Sequence, residues 1–513
     1  MATTKEEFIG SIQKAYLSKS SIYIGSAIYG QELCSEAQIQ IPLKTLNRHG
    51  LIAGATGTGK TVSLQLLAES LCKSGVPVLL MDLKGDLAGL SQAGTENSRA
   101  GERNKSLGIG FHPQKNRTEF LSLTHKSGVP LRATVSEFGP VLFSKILDLN
   151  DTQSSLVAML FKYADDHNLL LLDLDDFKQL LQHSLAEGKA ELQKNYGNIS
   201  SASISTILRK VVELESQGAA VFFGEKSFDV NDLLVVDAEG LGQCSLISLS
   251  DIQDKPKLFS TFMLCLLAEI YATFPEAGDL EKPKLCLFID EAHLLFKNAS
   301  NALLEQLESI VKLIRSKGVG LFFVTQNPTD IPDAVLSQLG LKVQHALRAF
   351  TEKDRKAIKK AAENFPITKY YDTAETLTSL GIGEALVTAL DEKGIPTPLA
   401  AVRLKAPESR IGTITEAEMS TQLKDSRLLD KYQTVINRES AYEILTKKIL
   451  AKDEETVSEV KKTGSIEEPS LIESVSSNPL MKQIGRTVAR ELTRGLLGAL
   501  GFKTSSGRKR SLF

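Results

Sequence analysis

The sequence has little of what marks several protein classes. Its five cysteines (Cys34, Cys72, Cys244, Cys265 and Cys286) form no CxxC pair and show no metal-type spacing, and three of them lie in apolar runs. They read as reduced core residues rather than as a disulfide framework or a zinc site. Charge of one sign is also missing. A net charge of -2 and a pI near 6.4 give no global pull toward nucleic acid, so any such contact has to come from a local patch. The first ten residues carry Lys5, Glu6 and Glu7 and no apolar h-region, which excludes a secretory signal there. Long apolar runs are scarce. The most apolar stretch, Leu258 to Phe274, is short for a membrane span and contains Glu269, so a helix buried against a sheet is expected. Together these absences point to the cytoplasm. No internal repeat is present.

What is there is an ordinary globular composition, 42% hydrophobic and 24% charged, in a chain of 513 residues, longer than one core usually holds. Short apolar runs at residues 21 to 45 suggest a small N-terminal β element (residues 1–45). From residue 46 to 412, short apolar runs alternate with amphipathic segments, the pattern of a mostly parallel α/β sheet covered by helices. Strands are expected at Leu51 to Ala53, Val76 to Met81, Cys244 to Leu249, Lys284 to Ile289, Val319 to Thr325 and Glu384 to Leu390. A helical insertion is expected at about 138–217, and a C-terminal helical segment over 413–450, with a charged amphipathic helix from Lys424 to Leu450. Residues 451–477 are polar and poor in aromatics, the composition of a disordered linker. In residues 478–513, Leu480, Ile484, Val488, Leu492, Leu496 and Leu500 recur every four positions, as do Lys482, Arg486, Arg490 and Arg494. The two series fall on opposite faces, which makes a cationic amphipathic helix followed by a basic tail. This segment suits a detachable contact for nucleic acid, an anionic membrane surface or a partner ATPase. Docking of its apolar face on its own or a neighbouring subunit is the plainer alternative.

The chemistry concentrates in two motifs. Gly54, Ala55, Thr56, Gly57, Thr58, Gly59, Lys60 and Thr61 spell GATGTGKT between the apolar run LIA and the helical VSLQLLAESL. In such a P-loop the glycines let backbone N–H groups surround phosphates, the helix N-terminus favours their charge, the Lys60 ammonium reaches the β and γ phosphates and the Thr61 hydroxyl ligates Mg²⁺. A Gly-rich turn that merely starts a helix is a poor fit to the full motif. The run KLCLFIDEAHLLF (284–296) ends a strand in two acids. There Asp290 suits the metal shell, and Glu291 suits orienting or deprotonating a water. The simpler reading, an acidic helix start, loses weight once the P-loop is present. His293 completes the letters DEAH and is assigned no chemistry. Gln326, ending the strand GLFFVTQNP, suits a γ-phosphate sensor, whereas Asp82 and Asp86 in VLLMDLKGDLAGL read first as turn residues and second as ligands.

With these motifs placed, the chain resembles the HerA-like branch of the HerA/FtsK superfamily, most closely the bacterial YjgR-type proteins. The likeness runs from about Leu46 to Gly412 through LNRHGLIAGATGTGKT, VLLMDLKGDLAGL, VFFGEKSFDVNDLL, FIDEAHLLF, VTQNPTDIPDAVLSQLG and HALRAFTEKD, and NPLMKQIGRTVARELTRGLLGALG looks like that group's C-terminus. The resemblance implies a RecA-like P-loop NTPase core, a homo-hexameric ring, ATP and Mg as cofactors, and a DNA translocase or helicase-type motor acting on double-stranded DNA with a partner nuclease or other protein. It supports Lys60, Thr61, Asp290, Glu291 and Gln326 in the roles above. A ring also calls for an arginine acting in trans, for which Arg48, Arg315 and Arg348 are the candidates. HerA proteins usually begin with a β-barrel; the roughly 45 residues before the P-loop strand offer no counterpart, which argues against barrel-mediated partners.

Two rivals remain. A two-domain DEAH helicase shares the loop and the tetrad, but 230 positions separate Lys60 from Asp290 (290 − 60), and no Q-x-x-G-R-x-x-R motif follows. A nucleotide-dependent scaffold without translocation stays open.

Overall fold

The computed structural model describes residues 4–450, apart from 97, 298–300 and 350. The linker and the cationic helix expected over 451–513 lie outside the described residues. The chain divides into a first unit, Met1–Thr446, and a second, Lys447–Phe513. Of the second, only residues 447–450 are described, and they are helical.

The first unit is organised by one twelve-stranded sheet. In chain order the strands are β1 (Ser21–Tyr29), β2 (Glu32–Pro42), β3 (Gly50–Ala53), β4 (Val78–Asp82), β5 (Thr118–Ser122), β6 (Val129–Pro130), β7 (Cys244–Ser248), β8 (Leu285–Ile289), β9 (Val319–Thr325), β10 (Leu341–His345), β11 (Glu384–Thr388) and β12 (Ala400–Leu404). Their order across the sheet is β2-β1-β12-β11-β10-β3-β9-β8-β4-β7-β5-β6. From β10 to β6 every neighbour pair is parallel. From β10 to β2 every pair is antiparallel.

The parallel strands are covered on both faces, which explains their unbroken apolar runs. Successive side chains of β4 go to opposite layers: Val78 and Leu80 pack with Leu64, Leu67 and Leu71 of the helix Lys60–Lys73, while Leu79 and Met81 join a core with Phe262 and Phe143. That second core also takes in the helices Val135–Ile146, Asp151–Asp166, Leu174–Leu185 and Ser201–Ser216, which follow β6. Capping boxes start three of the helices of this segment, at Thr134/Glu137, Asn150/Gln153 and Asp173/Asp176. The apolar stretch near residue 260 is the helix Pro256–Thr273, with Met263, Leu264 and Ile270 fully buried. Among the described residues no helix is long and apolar enough to cross a membrane.

Three outcomes bear on the expectations. First, residues 21 to 45 hold a β element, the β1–β2 hairpin, and Gly25 to Ile28 of β1 pair with β12, so the hairpin joins the main sheet. Gly25 permits this approach: a Cβ there would stand 2.2 Å from the carbonyl oxygen of Arg403. Second, Lys424–Leu450 is not one helix. The helix Glu416–Lys424 stops, a short turn Leu429–Tyr432 follows, and helix resumes only at 441. Side-chain anchoring explains the break: the Ser426 hydroxyl donates to Glu119 Oε2 at 2.5 Å, and Arg427 donates to Gln243 Oε1 and to the carbonyl of Asp232. Third, β5, β6, β10 and β12 and a first helix, Lys5–Ala15, were not expected.

Candidate active site

In an open parallel sheet, ligands gather at the carboxyl ends of the strands. Here β3 ends in the P-loop, β8 in Asp290–Glu291, and β9 between them in Gln326, so the topology brings the three predicted elements to one edge. The loop's shape comes from glycine: Gly57 and Gly59 have φ of 77° and 113°. Thr56 and Gly57 are exposed at its tip. Lys60, 8% exposed, turns back over the loop and donates to the carbonyls of Gly54 (2.7 Å) and Ala55 (3.2 Å). Burial lowers its pKa, with the nearby Lys84 adding to the effect and Glu291 and Asp290 opposing it. Thr61 is half-buried at the start of the helix.

The acidic pair is buried, Asp290 at 5% and Glu291 at 4% exposure. Burial, then the adjacent Glu291 charge, pushes the Asp290 carboxyl up to about 7. Asp290 Oδ2 and Glu291 Oε2 are buried oxygens without a hydrogen-bond donor. Such atoms are costly unless a ligand meets them. Glu291 also has φ of 46°, rare for a residue with a side chain. The donor set therefore fits a Mg²⁺–nucleotide: two orphan carboxylate oxygens and the Lys60 ammonium lie on the edge where the helix presents its N-terminus.

The sequence reading missed two contributors. Lys84, in the turn after β4, forms an ion pair with Glu291 Oε1. His345, at the end of β10, is fully buried under the loop. Its Nδ1 lies 3.0 Å from the carbonyl of Glu384, which can only accept, so Nδ1 carries the proton. Nε2 is then the acceptor for the Ser63 hydroxyl at 2.8 Å. Burial holds this imidazole at a pKa of about 4, hence neutral. A further contact fixes the loop from the antiparallel side: Gly383 N–H donates to the carbonyl of Thr58 at 3.0 Å.

The remaining candidates separate. Gln326 is exposed beyond β9, on the P-loop edge. Asp82 behaves as a turn residue, accepting from the N–H groups of Gly85 (2.7 Å) and Leu87 (3.1 Å), with burial raising its pKa to about 6. Asp86 keeps one buried oxygen without a donor. His293 Nδ1 lies 3.3 Å from Glu291 Oε2. Arg348 follows β10 on the P-loop edge, donating to the carbonyl of Thr378 at 3.2 Å. Arg48 and Arg315 precede β3 and β9, on the opposite edge, and line one cleft with Lys312 and Lys342. Burial and the Arg48 charge both lower the Arg315 pKa.

Known proteins resemble this chain in sequence and in fold. The family described as Helicase HerA-like C-terminal matches residues 30–471. The chain belongs to this family. Among curated relatives of this HerA-family chain, the DNA double-strand break repair helicase HerA of Sulfolobus acidocaldarius is 23% identical over 376 residues, covering 71% of this chain and 66% of that protein. Its counterpart from Sulfurisphaera tokodaii is 23% identical over 373 residues, with the same coverage. The chain thus spans slightly less than two thirds of the length of these relatives. Among solved structures, the plasmid coupling protein TrwB in complex with a non-hydrolysable ATP analogue aligns at a TM-score of 0.52 and 15% identity, covering 80% of this chain and 94% of that one. TrwB with ADP and Mg2+ aligns at 0.50 and 14%, with the same coverage. This likeness shows the fold: the HerA-family core here is a RecA-like P-loop ATPase fold.

Proposed function

We propose that this chain is a Mg-dependent ATP hydrolase that forms a ring and works as a HerA-like DNA translocase or helicase-type motor. The observation that carries the reading is the convergence of the P-loop with two buried, donor-free carboxylate oxygens on one sheet edge. Lys60 exchanges its two loop carbonyls for phosphate oxygens, to which its charge is better matched. The Thr61 hydroxyl and Asp290 would hold Mg²⁺, which supplies charge neutralisation on the phosphates. Glu291 accepts the proton of the attacking water, and the Gln326 amide helps to hold that water or the γ-phosphate.

The ring is supported by the arginines. Four strand residues of β3, roughly 13 Å at about 3.3 Å per residue, separate Arg48 from the loop. Arg48 and Arg315 therefore face away from their own nucleotide and suit that of a neighbour; Arg348 suits its own edge. The names of the HerA relatives support DNA as substrate. A partner nuclease or other protein, the placement among bacterial YjgR-type proteins and a cytoplasmic location rest on the sequence motifs and composition. The second reading, a nucleotide-dependent scaffold, predicts turnover indifferent to DNA.

The test is a pair of variants. Lys60→Ala should lose ATP binding. Glu291→Gln should bind ATP and hydrolyse it about 10²–10⁴-fold more slowly. Hydrolysis by the unaltered chain should rise with double-stranded DNA. Near-normal turnover by Glu291→Gln would refute the site, and DNA-independent turnover would favour the scaffold.

A further inference from the structure

We propose that Lys84 is a positioning residue for Glu291, anchoring one carboxylate oxygen so that the other is left free to take the proton of water. The inference rests on the assignment of Glu291 above. Lys84 reaches the site from β4, which is hydrogen-bonded to β8 on the side away from the P-loop strand. Its ammonium pairs with Glu291 Oε1. Oε2 of the same carboxylate has no hydrogen-bond donor. One oxygen is held and the other is open, the relation a general base needs to the group that orients it.

Two observations separate this pair from an ordinary surface ion pair. The carboxylate is buried, with 6% of its side chain exposed, beside a second buried acid, Asp290. The turn that presents Lys84 is tied down on both flanks. The Asp82 carboxylate accepts from Gly85 and Leu87, and Gln253 Nε2 donates to the carbonyl of Leu83 at 2.5 Å. Gly85, at φ 79°, makes the bend. Lys84 is therefore delivered by a braced turn rather than by a free loop. The other charged or titratable groups about this carboxylate are Lys60, Asp86, Asp290 and His293. Lys60 is engaged with its own loop, and His293 makes no hydrogen bond to Oε2, so among the described residues Lys84 is the cation that fixes the carboxylate's orientation.

A residue that acts through Glu291 changes the chemical step and not the binding of ATP. Lys84→Ala should lower kcat about 10- to 100-fold, as loss of an orienting partner does, with KM for ATP unchanged. Lys84→Arg should restore most of the rate. The deciding measurement is a double-mutant cycle in single-turnover ATP hydrolysis. The variant carrying both Lys84→Ala and Glu291→Gln should be no slower than Glu291→Gln alone, because the group through which Lys84 acts is already gone. Multiplicative losses in the double variant, or a raised KM with kcat unchanged in Lys84→Ala, would show that Lys84 contacts the nucleotide directly and would overturn the proposal. Near-normal turnover by Glu291→Gln is a different failure. It would sink the functional reading beneath the proposal and the proposal with it.

Discussion

His345→Gln tests whether the imidazole beneath the P-loop is kept neutral by the fold. In the folded chain its pKa is about 4, against about 6.5 when exposed. A base whose folded pKa is depressed binds fewer protons folded than unfolded across that interval, so its contribution to stability is full above pH 6.5 and is lost as pH falls toward 4. Between pH 7.5 and 5 the loss is about 2 kcal/mol, at 1.36 kcal/mol per unit of separation. The carboxyls of Asp82 and Asp290, raised to about 6 and about 7, act in the opposite sense, since they are lost to stability as pH rises. The informative quantity is therefore the difference between the parent chain and the variant, in which those carboxyls cancel. At pH 7.5 the variant should be less stable by about 1–3 kcal/mol, because the Ser63 hydroxyl or the Glu384 carbonyl is left poorly matched. By pH 5 that gap should have narrowed by about 2 kcal/mol. Urea unfolding of nucleotide-free protein, followed by circular dichroism across this pH range, measures it. Parallel curves for parent and variant would refute the assignment of a neutral, buried imidazole.

Three further outcomes follow from the geometry. Glu69, 2% exposed, accepts from the backbone N–H groups of Glu408 and Ser409, the Ser409 hydroxyl and Lys73, so Glu69→Ala should cost about 3–5 kcal/mol in the same urea assay, and a neutral result would refute its role as a buried hub. Gly54→Ala should weaken ATP binding about tenfold or more in equilibrium titration, since φ is 153° and the added Cβ would stand 2.5 Å from His345 Cβ, a strain of about 1–3 kcal/mol; unchanged affinity would refute the claim that loop geometry limits binding. Arg48→Ala or Arg315→Ala should leave assembly intact in sedimentation while hydrolysis falls by up to about 10³–10⁵, and mixing with Glu291→Gln chains should restore activity if one subunit completes another's site; no recovery at any ratio would refute trans action.

The P-loop and the acidic pair were legible in the sequence because their chemistry needs consecutive residues at the end of a strand, and consecutive residues leave a local signature. Lys84 was not, since its partner lies 207 positions away and a lysine after a strand is also good turn chemistry. Nor was His345, a single histidine whose meaning depends on Ser63 and Glu384 arriving beside it. The central strands β8 and β9 announced themselves as unbroken apolar runs. By contrast β10 (LKVQH) and β12 (AAVRL) carry polar residues, and they are strands because their neighbours pair with them. The first helix did leave a signal, with Thr4 capping and Phe8 and Ile12 four residues apart on one buried face.

The pairing of Gly25 with Leu404 has a consequence for how the chain is made. The β1–β2 hairpin emerges early, but the strand that covers the free side of β1 is encoded 379 positions later (404 − 25). At about 5–20 residues per second, synthesis leaves that edge without its partner for roughly 20 to 75 s. An exposed strand edge is a template for pairing with other chains. Nascent chains of this protein therefore carry an aggregation-prone edge from the synthesis of β1 until β12 has emerged, and a stall before Leu404 would release a product that cannot close its own sheet.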